Sequence, residues 1–339
     1  MIMKKLTSYC SLNMGQSPDS KTYNTNGEGM PFYQGNADFG VIHPVTRVWC
    51  SQPVKKAKKG DILISVRAPI GAMNIANEDC CIGRGLAALT PFAETSTEFL
   101  YYAVQSRVDS LIAQGTGSTF KAISKKVLEE TLLPSFSKKE QVDIIRKLGL
   151  VDSAIAERQK QLDLLKQLVK SRFIELFGEI NAPSKWEKKP WAELVTIQNG
   201  RDYKHIAVES GGYAVYGTGG EMARASDYLC PENTIIVGRK GTINNPLLVK
   251  EKFWNVDTAF GVIVGEQLHY QYFYGFCRMF DFSTLNKQAV LPSTTKADLL
   301  KIQIAVPPIE LQEQFAAFVE QVDKSKYHGE ITCEMEVAA

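Results

Sequence analysis

Ile235-Ile-Val-Gly-Arg-Lys-Gly-Thr-Ile-Asn-Asn-Pro246 opens with three apolar β-branched residues, the composition of a buried strand, and breaks at Gly238 into a turn carrying Arg239 and Lys240. Asp61-Ile-Leu-Ile-Ser-Val-Arg-Ala-Pro-Ile-Gly71 has the same shape: an apolar run, a small residue, an arginine and a turn. Other stretches repeat in the same order. Ile62-Leu-Ile matches Ile235-Ile-Val, Pro134 matches Pro307, and Glu140-Gln141 matches Glu313-Gln314, all at an offset of 173. Arg67 matches Arg239 at 172, Ser118-Thr-Phe-Lys121 matches Ser293-Thr-Thr-Lys296 at 175, and Val151-Asp152 matches Val322-Asp323 at 171. Six matches at nearly one offset, close to half of 339 residues, predict a tandem duplication of a whole domain.

Each copy begins with short β-like runs punctuated by Gly, Asn and Pro. A helix is predicted over 98–113 behind the capping box Thr95-x-x-Glu98. Its counterpart lies over 267–280, where Tyr270-Gln-Tyr-Phe-Tyr274 reads as module core rather than as a base-stacking platform. Ser137-x-x-Glu140 opens the next helix, and Gly149 is expected to end it in the left-handed conformation. From Val151 to Gly178 the pattern is helical throughout. Ile155, Leu162, Leu165, Val169 and Leu176 form a heptad seam of the kind that lies along another helix. At about 1.5 Å per residue this stretch reaches about 42 Å, a rod suited to holding two modules apart.

The totals agree with two domains: roughly 150 residues make one, and the chain has 339. An apolar content of 44% with 22% charged residues excludes wholesale disorder. A net charge of only +2 means that any nucleic-acid role rests on local basic patches. Seven cysteines without a C-x-x-C pair, and four scattered histidines, argue against a disulfide framework or a zinc site and fit reduced thiols in a cytoplasm. The N-terminus lacks the apolar core of a signal peptide, and no run approaches the roughly 18 apolar residues of a membrane span. The expected location is cytoplasmic, with no membrane partner.

Tandem β-rich modules, each followed by a helix, resemble the specificity (S) subunit of type I restriction–modification systems. The likeness is carried in the first copy by Gly15-Gln-Ser-Pro18, Pro31-Phe-Tyr-Gln-Gly35, Gly60-Asp-Ile-Leu-Ile-Ser65, Ser118-Thr-Phe-Lys121 and Glu140-Gln141. In the second it is carried by Tyr216-Gly-Thr-Gly-Gly220, Gly238-Arg-Lys-Gly-Thr242, Phe253-Trp-Asn-Val-Asp257, Pro307-Pro308 and Glu313-Gln314. The resemblance implies an α+β fold, pseudo-two-fold symmetric, with two target recognition domains linked by a long coiled-coil-type helix. The expected boundaries are 1–136 for the first recognition domain, 137–180 for the helical spacer, 181–307 for the second domain and 308–339 for a shortened second helical region. It further implies a chain without catalysis or cofactor of its own that reads a split sequence in double-stranded DNA. Methyltransferase (M) subunits using S-adenosylmethionine and restriction (R) subunits using ATP and Mg would then act on adenine methylation and cleavage.

The residues themselves allow several roles. Arg67 and Arg239 each project a fork of donors from the end of a strand. That suits bidentate binding of guanine O6 and N7, a phosphate clamp, or a local ion pair. Lys55, Lys56, Lys58 and Lys59 form either a solvated face or a phosphate contact. Gly217, Thr218 and Gly219 form a glycine turn whose backbone N–H groups suit a nucleic-acid backbone, although the motif is no phosphate-binding fingerprint. Arg84 has an acidic counterpart near Asp257, so the two loops would read different bases if both face DNA, with a structural role as the alternative. Ser118, Thr119 and Lys121, repeated as Ser293, Thr294 and Lys296, suit either a phosphate at a helix N-terminus or plain helix capping.

Two rival functions follow. A methyltransferase or nuclease in its own right is disfavoured, because Val306-Pro-Pro-Ile309 and Asn245-Pro246-Leu247 lack the [ND]-P-P-[FYW] loop that grips a flipped adenine. A non-DNA two-module scaffold, or an inactive truncated specificity subunit, is the remaining alternative. The latter arises because only 16 residues follow Asp323, acidic and without a heptad. On this reading the seam from Ile155 to Leu176 has no partner within the chain, and self-association as a homodimer is expected.

Overall fold

Both apolar runs are central strands. Ile62–Ser65 and Thr234–Gly238 are buried at every position, so neither face of either strand meets water. A computed structural model describes residues 2–117, 121–285 and 293–338, with side chains as far as Lys326. The chain divides into two units, Met1–Ala156 and Glu157–Ala339.

In the first unit an antiparallel sheet runs in the order Cys10–Met14, Leu86–Pro91, Ile62–Ser65, Met73–Ile75. In the second, the order Val195–Asn199, Ala259–Val264, Thr234–Gly238, Leu247–Val249 repeats it. A second sheet in each unit contains one parallel pair, Met30–Tyr33 with Cys80–Ile82 and Tyr213–Gly217 with Phe253–Asn255. A short antiparallel pair completes each unit, Met3–Lys5 with Leu132–Pro134 and Lys188–Pro190 with Gln303–Ala305. Among the described residues the duplication therefore holds strand for strand in the antiparallel core sheet and the short pair, whereas the second sheet has five strands in the first unit and four in the second.

The helices depart from expectation in four places. The helix predicted over 98–113 is two, Thr97–Gln105 and Val108–Ala113, and its cap is Ser96, whose hydroxyl accepts from Phe99 N, rather than Thr95. Its counterpart is Tyr270–Met279, capped by His269. Gly149 ends nothing, because one helix runs from Lys138 to Phe177. An interior glycine costs only about 0.5–1 kcal/mol, and good helix formers on both sides carry the helix through it. The stop is Gly178, at φ +80°, whose N–H bonds the Ile174 carbonyl at 2.7 Å. The expected opening is present: Ser137 N–H donates to Glu140 Oε2 at 2.7 Å, and Glu140 N–H returns to Ser137 Oγ at 3.4 Å.

The fourth departure concerns the C-terminus. A helix of 30 residues, Ile309–Ala338, stands where the tail had no recognisable pattern. Its buried Phe315, Val319 and Val322 are spaced 4 and 3, a helix face set before Asp323 rather than after it. Val169 and Leu176 of the seam pack against a core containing Phe315 and Val319. The premise of an uncovered seam thus fails over its C-terminal half. Leu162 and Leu165 are half-buried, and Ile155 is 59% exposed. Phe173 and Phe177 are the buried residues of the long helix. Phe173 stacks on Tyr272 at 5.5 Å and meets Phe315 edge-on at 5.4 Å. Tyr272 and Phe273 are core residues, as the aromatic run predicts. No described helix is long and apolar enough to cross a membrane.

Candidate nucleic-acid interface

In the first unit several loops meet at the end of the strand Ile62–Ser65. Val66 is buried and donates to Gly85 O at 2.9 Å, and the next residue, Arg67, is exposed. A strap closes over this point: Ala68 N–H bonds Lys121 O at 3.0 Å and Ile123 N–H bonds Val66 O at 2.9 Å. Gly15 N–H reaches Leu86 O at 2.9 Å, and Gly83 N–H reaches Tyr33 O at 2.8 Å. The backbones approach so closely that a Cβ on Gly15 would overlap the Gly83 carbonyl oxygen. Asp38 shapes the neighbouring loop by accepting from Gln34 N–H at 2.7 Å. A cavity of about 400 Å³ results, lined by Phe32, Gln34, Gly35, Asn36, Arg67 and Gly85. Arg84 stands exposed between Gly83 and Gly85, its N–H on Ser17 Oγ at 3.3 Å.

The second unit builds this edge with the same bonds. Arg239 N–H donates to Thr258 O at 2.9 Å, Val256 N–H to Tyr216 O at 3.1 Å, and Thr294 N–H to Arg239 O at 3.0 Å. A Cβ on Gly200 would overlap the Val256 carbonyl oxygen, as at Gly15. These bonds correct the register of the repeat. Val66 corresponds to Arg239, and Arg67, which bridges Ala122, corresponds to Lys240, which bridges Ser293. Arg67 and Arg239 are therefore one position apart rather than equivalent. Arg84 does correspond to Asp257, both exposed, in loops closed by the same two bonds. Arg201, exposed beside Gly200 with its N–H on Asn255 O at 3.0 Å, joins this edge, and sequence reasoning missed it. Its signal is Gly200-Arg201 against Gly15-Gln16, at an offset of 185 instead of 173.

The remaining candidates fall in different settings. Gly217 pairs with Gly220 across a two-residue turn, so Gly217, Thr218 and Gly219 form the tip of a β-hairpin. Arg239 also donates from Nη1 to Asp257 O at 3.3 Å and lies 5.8 Å from the Phe260 ring centre. Ser118 and Thr119 lie outside the described residues. Lys121 is exposed in the strap beside Arg67. Ser293-Thr-Thr-Lys296 aligns with Ala122-Ile-Ser-Lys125 rather than with Ser118–Lys121: Ser124 and Thr295 are the matching helix caps. Thr294 is buried on Gly238 O at 2.7 Å, and Lys296 Nζ reaches Ile197 O at 2.8 Å, so both tie strands together. The lysine run forms a turn held by carboxylates, Lys58 N–H on Asp61 at 2.8 Å and Lys59 N–H on Asp79 at 2.9 Å. Lys56, Lys58 and Lys59 point to solvent.

Burial raises the Asp61 carboxyl above its usual range, partly offset by the Lys58 N–H. Burial also pushes Cys10, Cys80 and Cys230 up to about 12, which leaves these thiols protonated and unreactive at neutral pH. Among the described residues no group of three or more His, Cys, Asp or Glu is placed to hold a metal ion.

Comparison with known proteins matches residues 2–167 and 183–334 to the family model described as the type I restriction modification DNA specificity domain. The putative type I restriction enzyme MjaX specificity subunit of Methanocaldococcus jannaschii is 40% identical over 163 residues, 48% of this chain and 38% of that protein. The MjaIX specificity subunit of the same organism is 26% identical over 227 residues, 58% of this chain and 52% of that one. The chain thus spans about half or less of the length of these curated relatives. The crystal structure of an S subunit of a type I restriction–modification system from M. genitalium matches 99% of this chain and 93% of its own at a TM-score of 0.59 and 16% identity, a likeness of fold.

Proposed function

Because this chain belongs to the type I restriction modification DNA specificity family, we propose that it recognises double-stranded DNA, each unit reading one half of a bipartite sequence. The observation that supports this most is the edge built twice by the same hydrogen bonds. It presents Arg67, Arg84 and Lys121 in one unit and Arg201, Arg239 and Lys240 in the other. Each is an exposed cation on a loop whose backbone is anchored to a buried strand, which fixes the place it starts from before DNA arrives and limits the backbone entropy lost on binding. Arginine at such a place suits guanine O6 and N7 or a phosphate, and lysine suits a phosphate. Thr294 and Lys296 serve the scaffold under this reading.

The chain supplies recognition and no chemistry. Methyltransferase subunits carrying S-adenosylmethionine would methylate adenine in the target, and restriction subunits carrying ATP and Mg would cleave. Titration of the chain onto duplex DNA across a salt series tests the DNA reading. Z phosphate contacts give a slope of log K against log salt of about −0.9Z, so several contacts give a steep fall. A two-module scaffold that binds protein or sugar gives no such slope.

A further inference from the structure

We infer that one loop position, Arg84 in the first unit and Asp257 in the second, faces base edges and sets which base each unit reads: guanine opposite Arg84 and cytosine opposite Asp257. This rests on the DNA-recognition reading above and names what the same edge recognises.

The equivalence of the two positions is geometric. Gly83 N–H on Tyr33 O at 2.8 Å and Val256 N–H on Tyr216 O at 3.1 Å open the two loops. Val66 N–H on Gly85 O and Arg239 N–H on Thr258 O, both 2.9 Å, close them. One residue stands between, and in both units it is exposed. Its backbone is held, by Ser17 Oγ accepting from Arg84 N–H at 3.3 Å and by Asp257 O accepting from Arg239 Nη1 at 3.3 Å. Its charged end is not: among the described residues neither the Arg84 guanidinium nor the Asp257 carboxylate has a hydrogen-bond or ion-pair partner.

The carboxylate decides what the position faces. A free cation at a DNA-binding edge serves a phosphate or a base equally well. A free carboxylate there is repelled by every phosphate and is stabilised only opposite an amino group in a groove. Cytosine N4 offers that group to an aspartate, while guanine O6 and N7 accept the arginine fork. Since the two loops are the same construction, what Asp257 implies about the direction of its loop applies to Arg84.

Selection from a randomised duplex library by the full chain, by Arg84→Gln and by Asp257→Asn tests this. Glutamine and asparagine pair with adenine N6 and N7, so each replacement converts one preference without adding bulk. The wild type is expected to enrich a two-part motif. Arg84→Gln should turn one guanine into adenine in one half only, and Asp257→Asn one cytosine into adenine in the other half only, each preference shifting by about tenfold or more. If both variants enrich the wild-type motif, at whatever affinity, the inference is overturned and the position serves phosphate or fold. If the wild type enriches no motif, the DNA-recognition reading itself fails and takes the inference with it.

Discussion

Ser96 and His269 stand at matching places in the two units, and each caps the helix that follows the core sheet, Ser96 Oγ accepting from Phe99 N–H at 3.1 Å and His269 Nδ1 from Gln271 N–H at 3.2 Å. Behind these caps the cores differ. The first unit packs Leu6, Ile62, Ile64, Leu89 and Leu100, whereas the second piles Phe173, Phe177, Trp191, Tyr272, Phe276 and Phe315. The loop bonds at the strand ends stay the same while the side chains on them change, Arg67 to Lys240 and Arg84 to Asp257. Backbone hydrogen bonds are indifferent to side-chain identity, so a duplicated scaffold keeps its loop geometry while core and surface diverge. Cores tolerate such repacking when volume is kept, and exposed positions tolerate nearly anything. The divergence at the exposed edge is what two modules reading different halves require.

The comparison can be broken most severely at Phe173. It is 2% exposed against the rings of Phe177, Tyr272 and Phe315 in the second unit, and Phe173→Ala should cost about 3–5 kcal/mol. Hydrogen exchange should show protection lost across 157–339 and kept across most of 1–156; equal loss in both would mean that the units do not hold separate cores. Gly15→Ala and Gly200→Ala come next. Each forces a Cβ into a carbonyl oxygen, at about 1–3 kcal/mol, and each should loosen only its own unit in the same experiment. Tolerance at one and damage at the other would contradict the equivalence of the two loops.

A smaller effect is expected of Arg67→Ala and Lys240→Ala, which share a register position. Loss of a base contact should lower duplex affinity by about 1–3 kcal/mol and relax one half-site, whereas loss of a phosphate contact should shrink the salt slope by about one. Fluorescence anisotropy across a salt series separates the two, and unchanged affinity with a lowered melting temperature would assign the residue to the fold. The smallest effect concerns the caps. Burial holds the His269 pKa below its ordinary value of 6.5, against a weaker upward pull from Glu313. The neutral ring accepts the Gln271 N–H, and the unfolded chain takes up the proton first as pH falls. The stabilisation is therefore full above the ordinary histidine value and is lost as pH falls through the lowered one. His269→Asn, a pH-independent cap, should flatten that part of the second unit's stability profile; an unchanged profile would show that the proton binds elsewhere.

Much of the fold was legible because burial writes itself into composition. Ile62–Ser65 and Thr234–Gly238 announce themselves as apolar β-branched runs, and the aromatic run of 270–274 sits in the core as its helical setting implies. Register was less legible, because loop length is not periodic. The offset is 185 at the first core strand (Met14 and Asn199), 173 through the central strands and 171 at the long helices. Pairing Glu140-Gln141 with Glu313-Gln314 at 173 slipped by two residues. The true match is Gln141 with Gln312, whose amides bond Phe136 O at 3.0 Å and Pro307 O at 2.8 Å. Gln312 is wholly buried, a status no glutamine advertises in sequence. Slips of one and of four residues likewise joined Arg67 to Arg239 and Lys121 to Lys296. The second long helix was hidden because its apolar face lies before Asp323, and the residues after it carry no heptad.

The central claim is that two copies of one module each read half of a divided target. Methylome sequencing of a host carrying this chain with a methyltransferase partner measures it most directly. The account predicts methylated adenines within a motif of two specified halves separated by unspecified bases, with Arg84→Gln altering one half and Asp257→Asn only the other. A single contiguous motif, or one variant altering both halves together, would contradict it.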